Sequence, residues 1–214
     1  MFDIGANKGH YALEALKINN TTKIYAFEPH PKIFNELRKN VSATSISVKN
    51  KAVSDVQGNV LLYDYFDSAH SSSHATLCAH VIEDVHKSPS TSYEVGAIIL
   101  DDFIHENQIH KINLLKIDTE GHELKVLRGG MKSIDANMVD VIQFEFTQIN
   151  STSRIYMKDF YDLLSPKYSF FRLLPNGFLP LGTYSPTKHE IFGYQNIIAV
   201  RREFDVFRRC HIKF

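Results

Sequence analysis

The chain has 214 residues, 43% of them hydrophobic, and its 24 Lys+Arg balance 24 Asp+Glu. That length and apolar share suit one core-bearing domain over 1–214, and the zero balance argues against a nucleic-acid backbone or an anionic membrane as partner. No apolar run approaches the ~20 residues a bilayer span needs, and two distant cysteines, Cys78 and Cys210, argue against a disulfide-stapled secreted scaffold. The reading is a cytoplasmic protein with a small-molecule partner.

The chain opens inside its first strand, MFDI, so an N-terminal helix is expected ahead of it in a longer protein. A helix follows over 9–18, then the strand KIYAFEP, then the amphipathic helix PKIFNELRKNV with Pro near its start. SISVKNKAVS alternates as one third strand. Strands separated by helices of this length imply crossover connections and a parallel sheet. Periodicity is lost over 67–92, a Ser- and His-rich stretch expected to be an insertion or lid, with a short helical segment near 77–85. YEVGAIIL, a short helix from Asp101, INLLKID, a helix over 121–128, VDVIQFEF and a helix over 155–164 continue the alternation. YSFFRLL, GFLPLG and NIIAVRR, separated by turn signals, predict an antiparallel finish. The fold expected is α/β: a mostly parallel, doubly wound sheet with an antiparallel C-terminal hairpin.

Two motifs carry ligand chemistry. DIGANKG, Asp3 to Gly9, joins a strand to a helix, where an open sheet presents backbone N–H groups to a ligand. Gly5 and Gly9 stand in it without the three glycines of a pyrophosphate fingerprint. Glu28, followed by Pro29, ends the second strand 23 residues beyond Gly5, placed to accept hydrogen bonds from a ribose. Together they point to an adenosine-type ligand without a pyrophosphate, a description that S-adenosylmethionine satisfies.

LLKIDTEGHELKVLRGG crowds Asp118, Glu120 and Glu123 into six positions after an apolar run. Like charges that close repel, and each buried carboxylate is costly unless paired or protonated. Glu145, between Phe144 and Phe146, reads either as a group facing the same cleft or as a salt-bridged strand end. Glu123 falls in a first helical turn, where an acid simply favours the helix dipole. His122 is a candidate base whose helical position suggests exposure.

With FDIGANKGHYA, AFEPHP, NKAVSDVQG and LDDF in order ahead of that block, and YQNIIAVRR near the end, the chain resembles the FkbM-type methyltransferases, S-adenosylmethionine-dependent enzymes with a Rossmann-like fold. The resemblance implies that Asp3, Gly5, Ala6, Asn7 and Gly9 form the turn around the methionine part of the cofactor and that Glu28 and Pro29 meet the ribose. It implies that Ala52 and Val53 meet adenine, with Ala52 where other methyltransferases carry an Asp, and that Asp118 ends the strand beside the transferable methyl. Asp118 and Glu120 are then candidates for base or acceptor orientation, with Glu145 beside them, and the acceptor is a hydroxyl of a sugar, glycan or secondary metabolite. S-adenosylhomocysteine would be the product.

Histidines and a cysteine crowd at His70, His74, Cys78 and His80, but without the second paired cluster of a zinc site. No metal is expected, and a divalent cation at Asp118 is the minor alternative. The rival functions are a nicotinamide-dependent oxidoreductase and a non-catalytic nucleoside-binding module of the same fold, and methylation at nitrogen or carbon is the variant within the family.

Overall fold

The computed structural model describes residues 1–65, 75–77 and 89–204. Short apolar runs form strands, and amphipathic stretches between them cover the faces. The chain opens with β1 (Phe2–Ile4), α1 (His10–Ile18), β2 (Tyr25–Phe27), α2 (Pro31–Asn40) and β3 (Ser47–Lys49). Pro31 suits the first turn of α2 because its missing N–H would have no partner there, and His30 caps the helix with Nδ1 accepting from Lys32 N and Ile33 N.

The segment expected as one third strand divides. β3 pairs with β2, whereas β4 (Ala52–Ser54) enters a second, three-stranded sheet of order β4-β6-β5 with β5 (Gly58–Tyr65) and β6 (Ser90–Ile99). The break has a local cause: Asn50 Nδ2 donates to the carbonyls of Glu28 (2.8 Å) and Pro29 (3.0 Å), so the chain is anchored at the tip of β2. Of the lid expected over 67–92, residues 67–74 and 78–88 lie outside the described residues, as do His70, His74, Cys78, His80 and Cys210. Residues 90–92 belong to β6, and Thr76 bridges to Tyr63 of β5.

The remaining elements are α3 (Leu100–Glu106), β7 (Ile112–Ile117), α4 (Glu123–Gly129), α5 (Met131–Asp135), β8 (Val139–Phe146), α6 (Gln148–Thr152), α7 (Met157–Leu164), β9 (Tyr168–Leu174), β10 (Gly177–Pro180), α8 (Pro186–His189) and β11 (Gln195–Arg201). The main sheet has the order β10-β9-β11-β8-β7-β1-β2-β3. Pairing is parallel from β3 across to β8, and β11 then runs antiparallel to both β8 and β9. The chain winds outward from β1 to β3 and returns on the other side of β1 at β7. The ends of β1 and β7 are therefore the switch point, where a sheet of this kind opens a crevice.

Alternation sorts the two faces. Phe2 and Phe27 meet the edge of Phe103 from α3, at 5.9 and 5.0 Å between ring centres, and further along Phe144 stacks on Phe160 at 4.4 Å. The opposite face of β1 and β7 carries polar residues. Parallel register sets Asp3 beside Lys116 and Lys116 beside Gln143, a polar row across three buried strands. The smaller sheet is seated by Gly129, where an added Cβ would lie 2.1 Å from the carbonyl oxygen of Ser54. Gly129→Ala should therefore lose about 1–3 kcal/mol of stability through overpacking against backbone that cannot yield, read as a lowered denaturant midpoint; an unchanged midpoint would show that the two elements can separate without cost.

Candidate active site

The turn after β1 is set by sterics. Gly5 has φ +75° and Gly9 φ +86°, with Asn7 at φ 48° between them. A Cβ on Gly5 would fall 1.7 Å from the carbonyl oxygen of Asp118, so the end of β1 lies against the end of β7 only because no side chain intervenes. The N–H groups of this turn are spent internally. Gly5 and Ala6 donate to Phe27 O (3.0 and 2.9 Å), Gly9 to Ala6 O (2.9 Å), Asn7 to Glu28 Oε2 (2.9 Å) and Lys8 to Asn7 Oδ1 (2.8 Å). The expectation of N–H groups presented to a ligand is thereby corrected for residues 5–9. The turn therefore forms no anion-binding nest toward the cleft.

Glu28 is buried, its second carboxylate oxygen accepting from His30 N at 2.8 Å. Burial raises its pKa, opposed by the backbone bonds from His30 and Asn7 and by the charges of His30 and Lys116. Each oxygen keeps lone-pair capacity beyond those bonds. Beside it a cleft of about 690 Å³, open mouth included, is walled by Gly5, Asn7, Glu28 and Pro29 on one side and by Asp118 and Glu120 on another. Its floor is apolar, with Ile33, Ala52, Val53, Leu62 and Leu77. Asp3, Ala6 and Gly9 stand behind the cleft lining, Asp3 fully buried.

The loop after β7 bends back on itself, with Glu120 at φ 54° and Gly121 at φ 96°. Glu123 fastens that bend: its Oε1 accepts from Thr119 N (2.8 Å), Thr119 Oγ1 (2.9 Å) and Gly121 N (3.2 Å). Thr76 Oγ1 adds a bond to Glu120 O at 2.6 Å. Glu123 is fully buried and its pKa is pushed up to about 7, chiefly by desolvation, against those hydrogen bonds. This geometry serves the loop rather than the helix dipole alone. His122, expected to be exposed, is instead 4% exposed at the start of α4, its Nε2 2.9 Å from Ser54 Oγ. Desolvation lowers its pKa to about 4, so it is neutral at pH 7, and it reaches the cleft only as part of the lining near Glu120, its Nε2 engaged by Ser54. The packing of α4 on β4 buries it, a tertiary contact that helical position alone does not reveal.

Carboxylate oxygens of Asp118, Glu120 and Glu145 all lie within 4.8 Å of one another. Glu145, on β8, carries a pKa pushed up to about 8, by desolvation first and then by Asp118, Glu120 and Glu123, with the Tyr194 hydroxyl opposing. Three acids at that spacing can share a proton or bind a hard divalent cation through oxygen.

Lys116 is the functional candidate that sequence reading missed. Its ammonium lies 3.0 Å from Gly5 O, 3.1 Å from Asp3 Oδ1 and 3.3 Å from Asp118 Oδ2. Its one signal in the sequence is a cation inside the apolar run INLLKI. Also missed was a chain of polar contacts over the ends of β8 and β11: Tyr11 OH to Gln143 (2.7 Å), Gln143 to Asn196 (3.2 Å) and Asn196 to Tyr194 OH (3.2 Å).

Residues 3–170 match the model of the methyltransferase FkbM domain. The chain belongs to this family. Among curated relatives, it is 28% identical over 149 residues to the hexuronic acid methyltransferase AglP of Haloferax volcanii, covering 66% of this chain and 55% of that one. It is 33% identical over 151 residues to the 31-O-demethyl-FK506 methyltransferase FkbM of Streptomyces tacrolimicus, covering 60% of this chain and 58% of that one. The matches thus span little more than half the length of these relatives. Among solved structures the METTL16 methyltransferase domain aligns with a TM-score of 0.50 at 11% identity, over 93% of this chain and 58% of that one, which shows the shared Rossmann-like fold. No helix among the described residues is long and apolar enough to cross a membrane.

Glu123 and Glu145 hold protons more tightly in the folded chain than a free carboxyl does. From the ordinary glutamate value of 4.5 up to about 7 and 8 the folded state carries the greater number of protons, so stability falls as pH rises through that window. Denaturation in urea between about pH 5 and about pH 8 should record the fall, and Glu145→Gln should flatten it; equal slopes in variant and parent would assign the effect to other groups.

Proposed function

We propose that this chain transfers a methyl group from S-adenosylmethionine to a hydroxyl oxygen of a small molecule or glycan. The observation that carries the reading is the pairing of a glycine turn whose N–H groups at residues 5–9 are all internally bonded with a carboxylate-rich wall. A pyrophosphate needs free N–H donors, whereas a nucleoside bearing positive charge needs acids and an apolar seat for its base. Glu28 fits the ribose hydroxyls, the floor around Ala52 and Val53 fits adenine, and Asp118 fits the cationic end of the ligand. The same features weigh against the nicotinamide-dependent alternative. The names of two relatives, one specifying a hexuronic acid and the other a 31-O-demethylated FK506, support an oxygen acceptor.

The cofactor supplies an electrophilic methyl on a sulfonium. The chain's own work is to bring an acceptor oxygen into line with that methyl, which can supply several kcal/mol, and to remove the hydroxyl proton. Asp118 faces the positive charge from the cleft wall. Glu145, with its pKa near neutrality, accepts the hydroxyl proton as the new C–O bond forms, and Glu120 orients the acceptor. The products are a methyl ether, neutral S-adenosylhomocysteine and a proton on the enzyme. We read the carboxylate trio as sharing that proton, with no metal required, in a cytoplasmic enzyme acting on neither nucleic acid nor membrane.

Calorimetry should show binding of S-adenosylmethionine and none of NAD; the reverse would replace a methyl donor with a hydride carrier. Glu28→Ala should weaken cofactor affinity by about 10–100-fold. Asp118→Asn should leave cofactor binding within a few-fold and depress methylation of a responsive sugar acid by about 10²–10⁴-fold, with Glu145→Gln acting alike, followed by transfer of labelled methyl. Dialysis against a chelator should leave the rate unchanged, and a loss restored by Mg²⁺ would put a cation where the shared proton is placed.

A further inference from the structure

The buried groups that the proposed chemistry leaves without a task converge on one side chain. Lys116 is the penultimate residue of β7, 6% exposed and off the cleft lining. An ammonium has three protons, and three acceptors surround this one: Asp3 Oδ1, Asp118 Oδ2 and the carbonyl of Gly5, at 3.0–3.3 Å. The ring of Tyr11, from the helix that covers this face, lies 5.5 Å from the same nitrogen, within reach of a cation–π contact. We infer that Lys116 is the positioning residue of the active site, holding the Asp118 carboxylate and the Gly5 turn in one fixed relation across the seam between β1 and β7.

Asp118 and Gly5 both line the cleft, from different strands, and their separation decides where the methyl donor's charged tail lies relative to the acid trio. Backbone contact fixes the main chains, through Asp118 N to Ile4 O at 3.0 Å, but the Asp118 side chain is 42% exposed and free to turn. Lys116 takes one of its two oxygens and leaves the other for the cleft. The same ammonium neutralises Asp3, which is fully buried and whose pKa burial raises and Lys116 lowers. Formally Lys116, Asp3 and Asp118 together keep one negative charge, matched to one incoming cation. Arginine would keep the charge while replacing a compact ammonium by a planar fork too broad for three converging acceptors.

This inference rests on the proposed methyl transfer for its effect on turnover, but its geometry can be read without it. Lys116→Met keeps the stem and removes the charge. It should lower kcat by about 10²-fold through misplacement of reacting groups and move the acid limb of the pH–turnover profile up by about one pH unit, because carboxylates lose their nearest cation. Lys116→Arg should return the acid limb to the parental position and restore only part of kcat. A Lys116→Met enzyme with parental kcat and a parental acid limb overturns the inference. Should burial of an unpaired Asp3 prevent folding, the double variant Asp3→Asn, Lys116→Met removes that charge and should show the same loss of kcat. In the ligand-free protein, hydrogen exchange at the Gly5 and Asp118 amides should quicken in Lys116→Met and not in Lys116→Arg. Unchanged exchange overturns the seam-holding role, whereas failure of the parent to bind S-adenosylmethionine in calorimetry overturns the functional reading alone.

Discussion

Two strands ending side by side in carboxylates would repel each other in a poorly solvated centre, and the ammonium of Lys116 is what makes that arrangement tenable. Burial acts against its charge, yet Asp3 and Asp118 together keep its pKa above the usual lysine range. Desolvating such a group is costly, and stability alone would be served as well by apolar packing. What the ion pair adds is direction: it ties the carbonyl of a left-handed glycine to an acid on another strand. The crevice that topology opens at the switch point thereby acquires a charged wall of defined shape.

The glycine turn carries the second half of the logic. Left-handed backbone at Gly5, Asn7 and Gly9 folds the turn inward, so its donors meet Phe27, Ala6 and Glu28 rather than a ligand. Two binding classes that share one sheet topology part company here. A turn that keeps its N–H groups free suits phosphate, and a turn that spends them within the protein while surrounding the ligand with acids suits a cation. Glu28 serves on both sides of the design, since its carboxylate shapes the turn and still has lone pairs to offer.

What could be read from the sequence follows from how local each feature is. Gly5, Glu28 and Asp118 end or follow strands in patterns visible within a few residues, and the α/β alternation follows from apolar runs and helix signals close in sequence. Lys116 could not be recognised in that way. Its partners lie 111 and 113 residues away on Gly5 and Asp3, and only the register of β1 with β7 turns a stray cation in a strand into the centre of a site. His122 misled for the same reason, because its burial comes from β4. The break between β3 and β4 was hidden since SVKNKAVS alternates through it, and the interruption depends on Asn50 reaching carbonyls at the end of another strand.

The acid trio shows how such a scaffold can generate a base without a histidine. A lone carboxylate at neutral pH is ionised and only weakly basic, so abstraction of a hydroxyl proton by it is poorly driven. Glu145 is moved toward neutrality by desolvation and by negative neighbours on two other elements, and a pKa near the working pH is where a general base balances ionisation against proton affinity. Lys116 sits on the far side, bonded to Asp118 and not to Glu145. Its ion pair therefore sets Asp118 apart from the acid across from it. Asymmetry between chemically similar carboxylates arises here from one cation placed off centre, and the proposed methyl transfer draws on that division of labour.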